Sequence, residues 1–174
     1  MTSALLVIDF QNAIFTFPPA YQGLLVQDRI RGLITRARAA GVAVVYVQHD
    51  EAGTIWEKGT ETWKFPDAIA PQPGDYVSPK SICDAFQGTA LQDHLVAQGI
   101  TRVFICGYAT EFCIDTNVRR AASGQLLETV VVSDAHTTRD RPHLDAAKII
   151  EHHHWVWNGF GGVTLTPSAA VEFA

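Results

Sequence analysis

Residues Thr101 to Ala122 read TRVFICGYATEFCIDTNVRRAA. The apolar run Val103 to Cys106 has the length and composition of a buried strand. It breaks at Gly107, and Thr110 to Ser123 then carries a helical pattern that Gly124 closes. A strand, a short turn and a returning helix form the unit from which α/β domains are built, so this stretch decides the fold class.

The same alternation extends in both directions. Upstream, Ala4 to Ile8 is an apolar strand that ends at Asp9. Val26 to Ala40 places Val26, Ile30, Leu33, Ile34 and Ala37 at helical spacing before Gly41, and Val42 to Val47 is a second apolar strand. Residues 50 to 75 show no period and hold Pro66, Pro71, Pro73 and Gly74, which marks a loop excursion, with Trp56, Trp63 and Phe65 inside it. Tyr76 to Pro79 is a short strand before Lys80, and Thr89 to Gln98 is a helix closed by Gly99. Downstream, Leu126 to Val132 is a strand ending at Ser133–Asp134, Leu144 to Trp157 a helix, and Val163 to Leu165 a last short strand. Strands without polar alternation belong in a parallel sheet covered on both faces. The expectation is one doubly wound α/β domain over residues 1–174, a mostly parallel sheet with helices on both faces in a Rossmann-like three-layer sandwich.

In such a sheet a site lies beyond the carboxyl ends of the strands. Asp9, Lys80 and Cys113 all fall there, from distant parts of the chain. Each has an ordinary alternative: Asp9 as a cap or turn former, Lys80 as a solvated surface group, Cys113 as a small core hydrophobe like Cys106 and Cys83. Spacing alone does not choose. Taken together the three side chains are chemically coherent. A helix start and a lysine both favour a thiolate, and an aspartate can take the thiol proton and return it to a leaving amine.

Composition excludes several classes. The 174 residues carry a net charge of -5 and no Lys/Arg block, which argues against a nucleic-acid partner. No apolar stretch reaches the roughly 18 residues of a membrane span. The N-terminal MTSALLVIDFQN lacks a basic lead and a small-residue cleavage site. Three cysteines without a CxxC pattern fit a reducing compartment, so a cytoplasmic location is expected. His152, His153 and His154 are consecutive on a predicted helix and point in different directions, so they make no metal pair.

Strand-ending DFQN at Asp9 to Asn12, the lysine of SPKS, DAFQGTAL, GYATEFCIDTNVRRA and VVSDAHTTRD together resemble the isochorismatase-like cysteine hydrolases, from LLVIDFQN almost to the FGGVTLTP tail. The resemblance implies Asp9, Lys80 and Cys113 as a catalytic triad, with Cys113 the nucleophile. It implies a cis peptide between Tyr108 and Ala109, and an oxyanion hole formed by the backbone N–H groups of Ala109 and Cys113. By the shared D-x-Q pattern Gln11 would line the pocket. By position rather than by the resemblance, Phe15, Trp56, Trp63 and Phe86 are aromatic pocket candidates, lying in loops near the strand ends, and Asp134 and His136, beyond another strand end, are candidate pocket or supporting residues. The vinyl-ether-cleaving branch lacks the cysteine, so Cys113 points to amide or other C–N hydrolysis of a small molecule. An ether or ester hydrolase, or an idle binding or assembly protein, are the alternatives. Nicotinamidases of the family hold a metal through an Asp-x-His pair after the second strand. Here VQHDE, Val47 to Glu51, puts Gln48 and Asp50 at those places and turns His49 to the other side, so neither metal nor cofactor is expected. The resemblance also implies a homo-oligomer, a dimer or tetramer.

Overall fold

The computed structural model describes residues 2–123 and 127–173. Six strands, β1 (Ser3–Ile8), β2 (Ala43–His49), β3 (Tyr76–Lys80), β4 (Arg102–Tyr108), β5 (Glu128–Thr137) and β6 (Val163–Thr166), form one sheet in the order β3-β2-β1-β4-β5-β6. Every neighbouring pair is parallel. The expected sheet is therefore present and wholly parallel. The order reverses direction between β1 and β4, where an open α/β sheet leaves a crevice at its carboxyl edge. The predicted stop at Gly124 and the first residue of the predicted fifth strand, Leu126, lie outside the described residues.

Among the described residues four α-helices cover the sheet: α1 (Gly23–Ala39), α2 (Leu91–Ala97), α3 (Asp115–Ser123) and α4 (Ala146–Asn158). On one face Val26, Ile30, Leu33 and Ile34 of α1 pack on Leu5, Val7, Val44 and Tyr46. Each of these helix side chains stabilises the layer by about 2 kcal/mol through burial. On the other face Leu91 and Leu95 of α2, Val118 and Ala121 of α3 and Trp157 of α4 pack on Leu6, Ile8, Val45, Val47 and Ile105.

Two local features shape the carboxyl edge. Gly107 has φ of 128°, and a Cβ there would lie 2.0 Å from the carbonyl oxygen of Ile8, so no other residue fits without moving β1 or β4. At the same point the β4–β5 register shifts, and β5 continues past Ser133–Asp134 to pair His136 with Gly107 and Thr137 with Tyr108. The first turn after β4 is also wider than an α-helix. Residues Thr110–Ile114 form a π-helical turn, with the Ile114 N–H donating to the Ala109 carbonyl at 3.1 Å, before α3 begins. Such turns recur at functional sites.

Candidate active site

The carboxyl ends of β1, β3 and β4 bring Asp9, Lys80 and Cys113 into one cluster. The chain leaves β1 at Asp9 with φ of 48°, a left-handed conformation that aspartate tolerates better than most residues. The Asp9 N–H donates to the Val47 carbonyl at 2.9 Å, so the turn stays tied to β2. Lys80 ends β3 opposite His49 of β2. Cys113 rides on the π-helical turn, where its carbonyl accepts from the Asn117 amide at 2.7 Å. Lys80 Nζ lies 2.6 Å from Asp9 Oδ2 and 3.3 Å from Cys113 Sγ, so the lysine bridges the carboxylate and the sulfur. Asp9 and Lys80 are 2% and 5% exposed, so this is a buried ion pair with a thiol against it.

Burial and the partners set the protonation of the cluster. Burial pulls the Lys80 ammonium down, but Asp9 and Cys113 outweigh it and hold the lysine above its ordinary value. The Cys113 thiol is pushed up, first by burial and then by the Asp9 charge, against the downward pull of Lys80. Lysine therefore acts on the sulfur in the direction expected from the sequence, yet burial and Asp9 prevail.

The cluster opens into a cleft of about 480 Å³. Trp56, Tyr108 and Phe112 supply aromatic surface, Ile55 and Ile82 an apolar edge, and Glu51, Arg139 and Arg141 the charged rim. Arg141 is already engaged by Glu111 at 2.6 Å, and its guanidinium lies 5.1 Å over the Phe112 ring. The peptide between Tyr108 and Ala109 is cis, and Ala109 and Cys113 both line the cleft.

Trp56 is the one aromatic pocket candidate among the described residues that lines the cleft. The others require correction. Phe15 packs edge-on against Phe10, with ring centroids 6.1 Å apart, at the end of a short 3-10 turn and against the core. Phe86 is buried in the core with Leu91 and Leu95, drawn in by α2. Trp63 instead offers its carbonyl to the amides of Gln11 and Gln48, at 2.7 and 3.0 Å. Gln11 is fully buried and does not line the cleft; its amide pairs with both polar groups of the His49 backbone, accepting from His49 N–H at 2.8 Å and donating to His49 O at 3.0 Å. Asp134 is drawn away to the Ser168 N–H, at 2.6 Å, and to Arg29. His136 sits beneath the π-helical turn, with Nδ1 2.9 Å from Thr110 Oγ1 and Nε2 2.9 Å from His154 Nε2.

His49 overturns the reading that sent it away from the site. Alternation along β2 puts Val45, Val47 and His49 on the face that packs against the Cys113 turn, and His49 Nδ1 lies 3.2 Å from Lys80 Nζ. Gln48 is turned to Trp63, and Asp50 Oδ1 accepts the Lys58 N–H at 3.2 Å. The residues therefore do not fit the metal site of the nicotinamidase pattern. Among the described residues no group of three or more His, Cys, Asp or Glu side chains is placed to hold a metal ion. Asn117 is a second residue missed from sequence. Fully buried, it holds the Cys113 carbonyl, the Cys83 carbonyl and the Ala85 N–H, at 2.7, 2.9 and 2.8 Å. Its signal was a polar residue one helical turn after Cys113.

An α/β domain with a nucleophile-type side chain on the turn after a central strand defines a broad class of single-domain enzymes and binders. Within it, the isochorismatase domain model matches residues 3–154, and the chain belongs to the isochorismatase family. It is 38% identical over 142 residues to a streptothricin hydrolase of Streptomyces noursei, covering 80% of this chain and 51% of that protein. The chain thus spans about half the length of the curated relatives it matches first. The crystal structure of an isochorismatase family protein superposes with a TM-score of 0.87 at 33% identity, covering 94% of this chain and 96% of that one. N-carbamoylsarcosine amidase of Thermoplasma acidophilum superposes at 0.82 with 27% identity, over 99% and 100% of the two chains.

Proposed function

We propose that the protein is a cysteine hydrolase for a small-molecule amide or other non-peptide C–N bond, with Cys113 as nucleophile. The observation that carries this reading is the Lys80 ammonium set against both Asp9 and Cys113, with Asp9 and Cys113 lining the cleft. The names of two relatives, streptothricin hydrolase and N-carbamoylsarcosine amidase, agree with it.

Attack on the carbonyl carbon forms an S–C bond while the Cys113 proton passes to Asp9. The negative charge that develops on the sulfur lies beside the Lys80 ammonium, 3.3 Å away. The carbonyl oxygen becomes an oxyanion, for which the N–H groups of Ala109 and Cys113 are the donors. Collapse breaks the C–N bond, and Asp9 returns its proton to the departing nitrogen. Water then attacks the thioester, Asp9 takes a proton from it, and the acid leaves as Cys113 is reprotonated.

A panel of primary amides, ureido compounds and esters, followed by ammonia, amine or acid release, tests the reading. The expected result is turnover of at least one C–N substrate that Cys113→Ala lowers on the order of a thousandfold or more. Turnover that survives Cys113→Ala, or that is confined to esters, would refute it.

A further inference from the structure

Lys80 is 5% exposed, so each of its three ammonium protons needs a protein acceptor. Asp9 Oδ2, 2.6 Å away, is its ion-pair partner on one side, and Cys113 Sγ accepts from it at 3.3 Å on another. His49 Nδ1, at 3.2 Å, stands at the third. An ammonium has no lone pair, so in this contact Nδ1 accepts and the ring carries its proton on Nε2. We propose that His49 is a positioning residue, the third acceptor that fixes the Lys80 ammonium on Asp9 and Cys113.

The surroundings of His49 are built for that role. Gln11, fully buried, grips both the N–H and the carbonyl of the His49 peptide. Trp56 packs perpendicular to the imidazole, with centroids 5.8 Å apart. The far nitrogen meets Glu51 Oε2 at 3.5 Å, at the rim of the cleft. The ring is thus held from its backbone, its face and its outer edge, with Nδ1 turned to the lysine. Without that acceptor one ammonium proton is buried unpaired. The charged lysine becomes costlier, and the sulfur loses part of the field that stabilises it as its proton leaves.

The inference rests on Cys113 being the nucleophile, and the test separates the two. Iodoacetamide is a small primary amide; its alkylation forms the S–CH2 bond, releases iodide and passes the thiol proton to Asp9. Its rate at Cys113 is followed by peptide mass spectrometry for the wild-type chain, His49→Phe and His49→Asn, alongside their melting temperatures. His49→Phe keeps the ring volume and the Trp56 contact without the acceptor. His49→Asn is smaller but offers an amide oxygen near the Nδ1 position. The expected result is a rate about tenfold lower in His49→Phe, recovered to within about threefold of wild type in His49→Asn. A space-filling role predicts the reverse order. If the wild-type Cys113 is alkylated and His49→Phe matches it, or His49→Asn is no faster than His49→Phe, only the inference falls. If the wild-type Cys113 does not react, the nucleophile reading falls first and the inference with it.

Discussion

The buried Asp9–Lys80 pair has different consequences depending on which partner is removed. Lys80→Met leaves a carboxylate without its cation and should cost about 3–5 kcal/mol, whereas the double variant with Asp9→Asn should be more stable than Lys80→Met alone. Urea unfolding of wild type, Lys80→Met, Asp9→Asn and the double variant checks this; additive losses would show that the two side chains do not interact. His136 gives a second prediction. Burial first, then the His154 and His153 rings, lower its pKa from 6.5 to about 3. The folded chain keeps it neutral, while the unfolded chain protonates it below about pH 6.5. Its contribution to stability is therefore present above pH 6.5 and lost progressively as pH falls toward 3. Unfolding midpoints between pH 7 and 4.5 should fall for the wild-type chain, and the slope should flatten in His136→Asn. Equal slopes would mean that His136 is not neutral in the folded state. Residue roles were only partly legible in the sequence. Asp9, Lys80 and Cys113 sit at strand ends, a position that topology makes meaningful. His49 was lost because the match to an Asp-x-His pattern assigned Gln48 and Asp50 inward, one residue out of phase with the side-chain alternation of β2.

At the level of elements, β4 and the turn that follows it carry the site. Gly107 lets β4 pass within contact of the Ile8 carbonyl just before the chain turns toward Cys113. Gly107→Ala should cost more than about 3 kcal/mol, through both the forced contact and the positive φ, and should slow any Cys113 chemistry that survives. A melting temperature within a degree or two of wild type would contradict this. Apolar strands and glycine stops made the element order readable, because a parallel sheet buried on both faces writes itself as short apolar runs. β5 was read too short: Ser133 and Asp134 look like a strand end, yet the register shift opposite Gly107 carries the strand on through Ala135, His136 and Thr137. The π-helical turn at Thr110–Ile114 was not readable either, since one residue per turn leaves no periodic trace over so short a stretch.

For the whole molecule, the site is a product of strand order, since no two of Asp9, Lys80 and Cys113 lie close in sequence and all meet at the carboxyl edge. The tail beyond the matched domain is also part of the fold. Val171 is buried, the Phe173 ring packs 5.0 Å from Phe104, and Arg36 of α1 donates to the Val171 carbonyl at 3.0 Å. Removing residues 168–174 should therefore destabilise the domain by about 3 kcal/mol or more, seen as a lowered urea midpoint; an unchanged midpoint would mean that the tail contributes nothing to the core. Among the described residues no helix is long and apolar enough to cross a membrane. The central claim is that Cys113 forms a thioester during C–N cleavage. The most direct measurement is the intact mass of the protein, quenched in acid during turnover of an amide, followed by peptide mapping. The account predicts an adduct equal in mass to the acyl part of the substrate, located on Cys113 and absent in Cys113→Ala. Turnover by the wild-type chain with no adduct, and at an undiminished rate in Cys113→Ala, would contradict it.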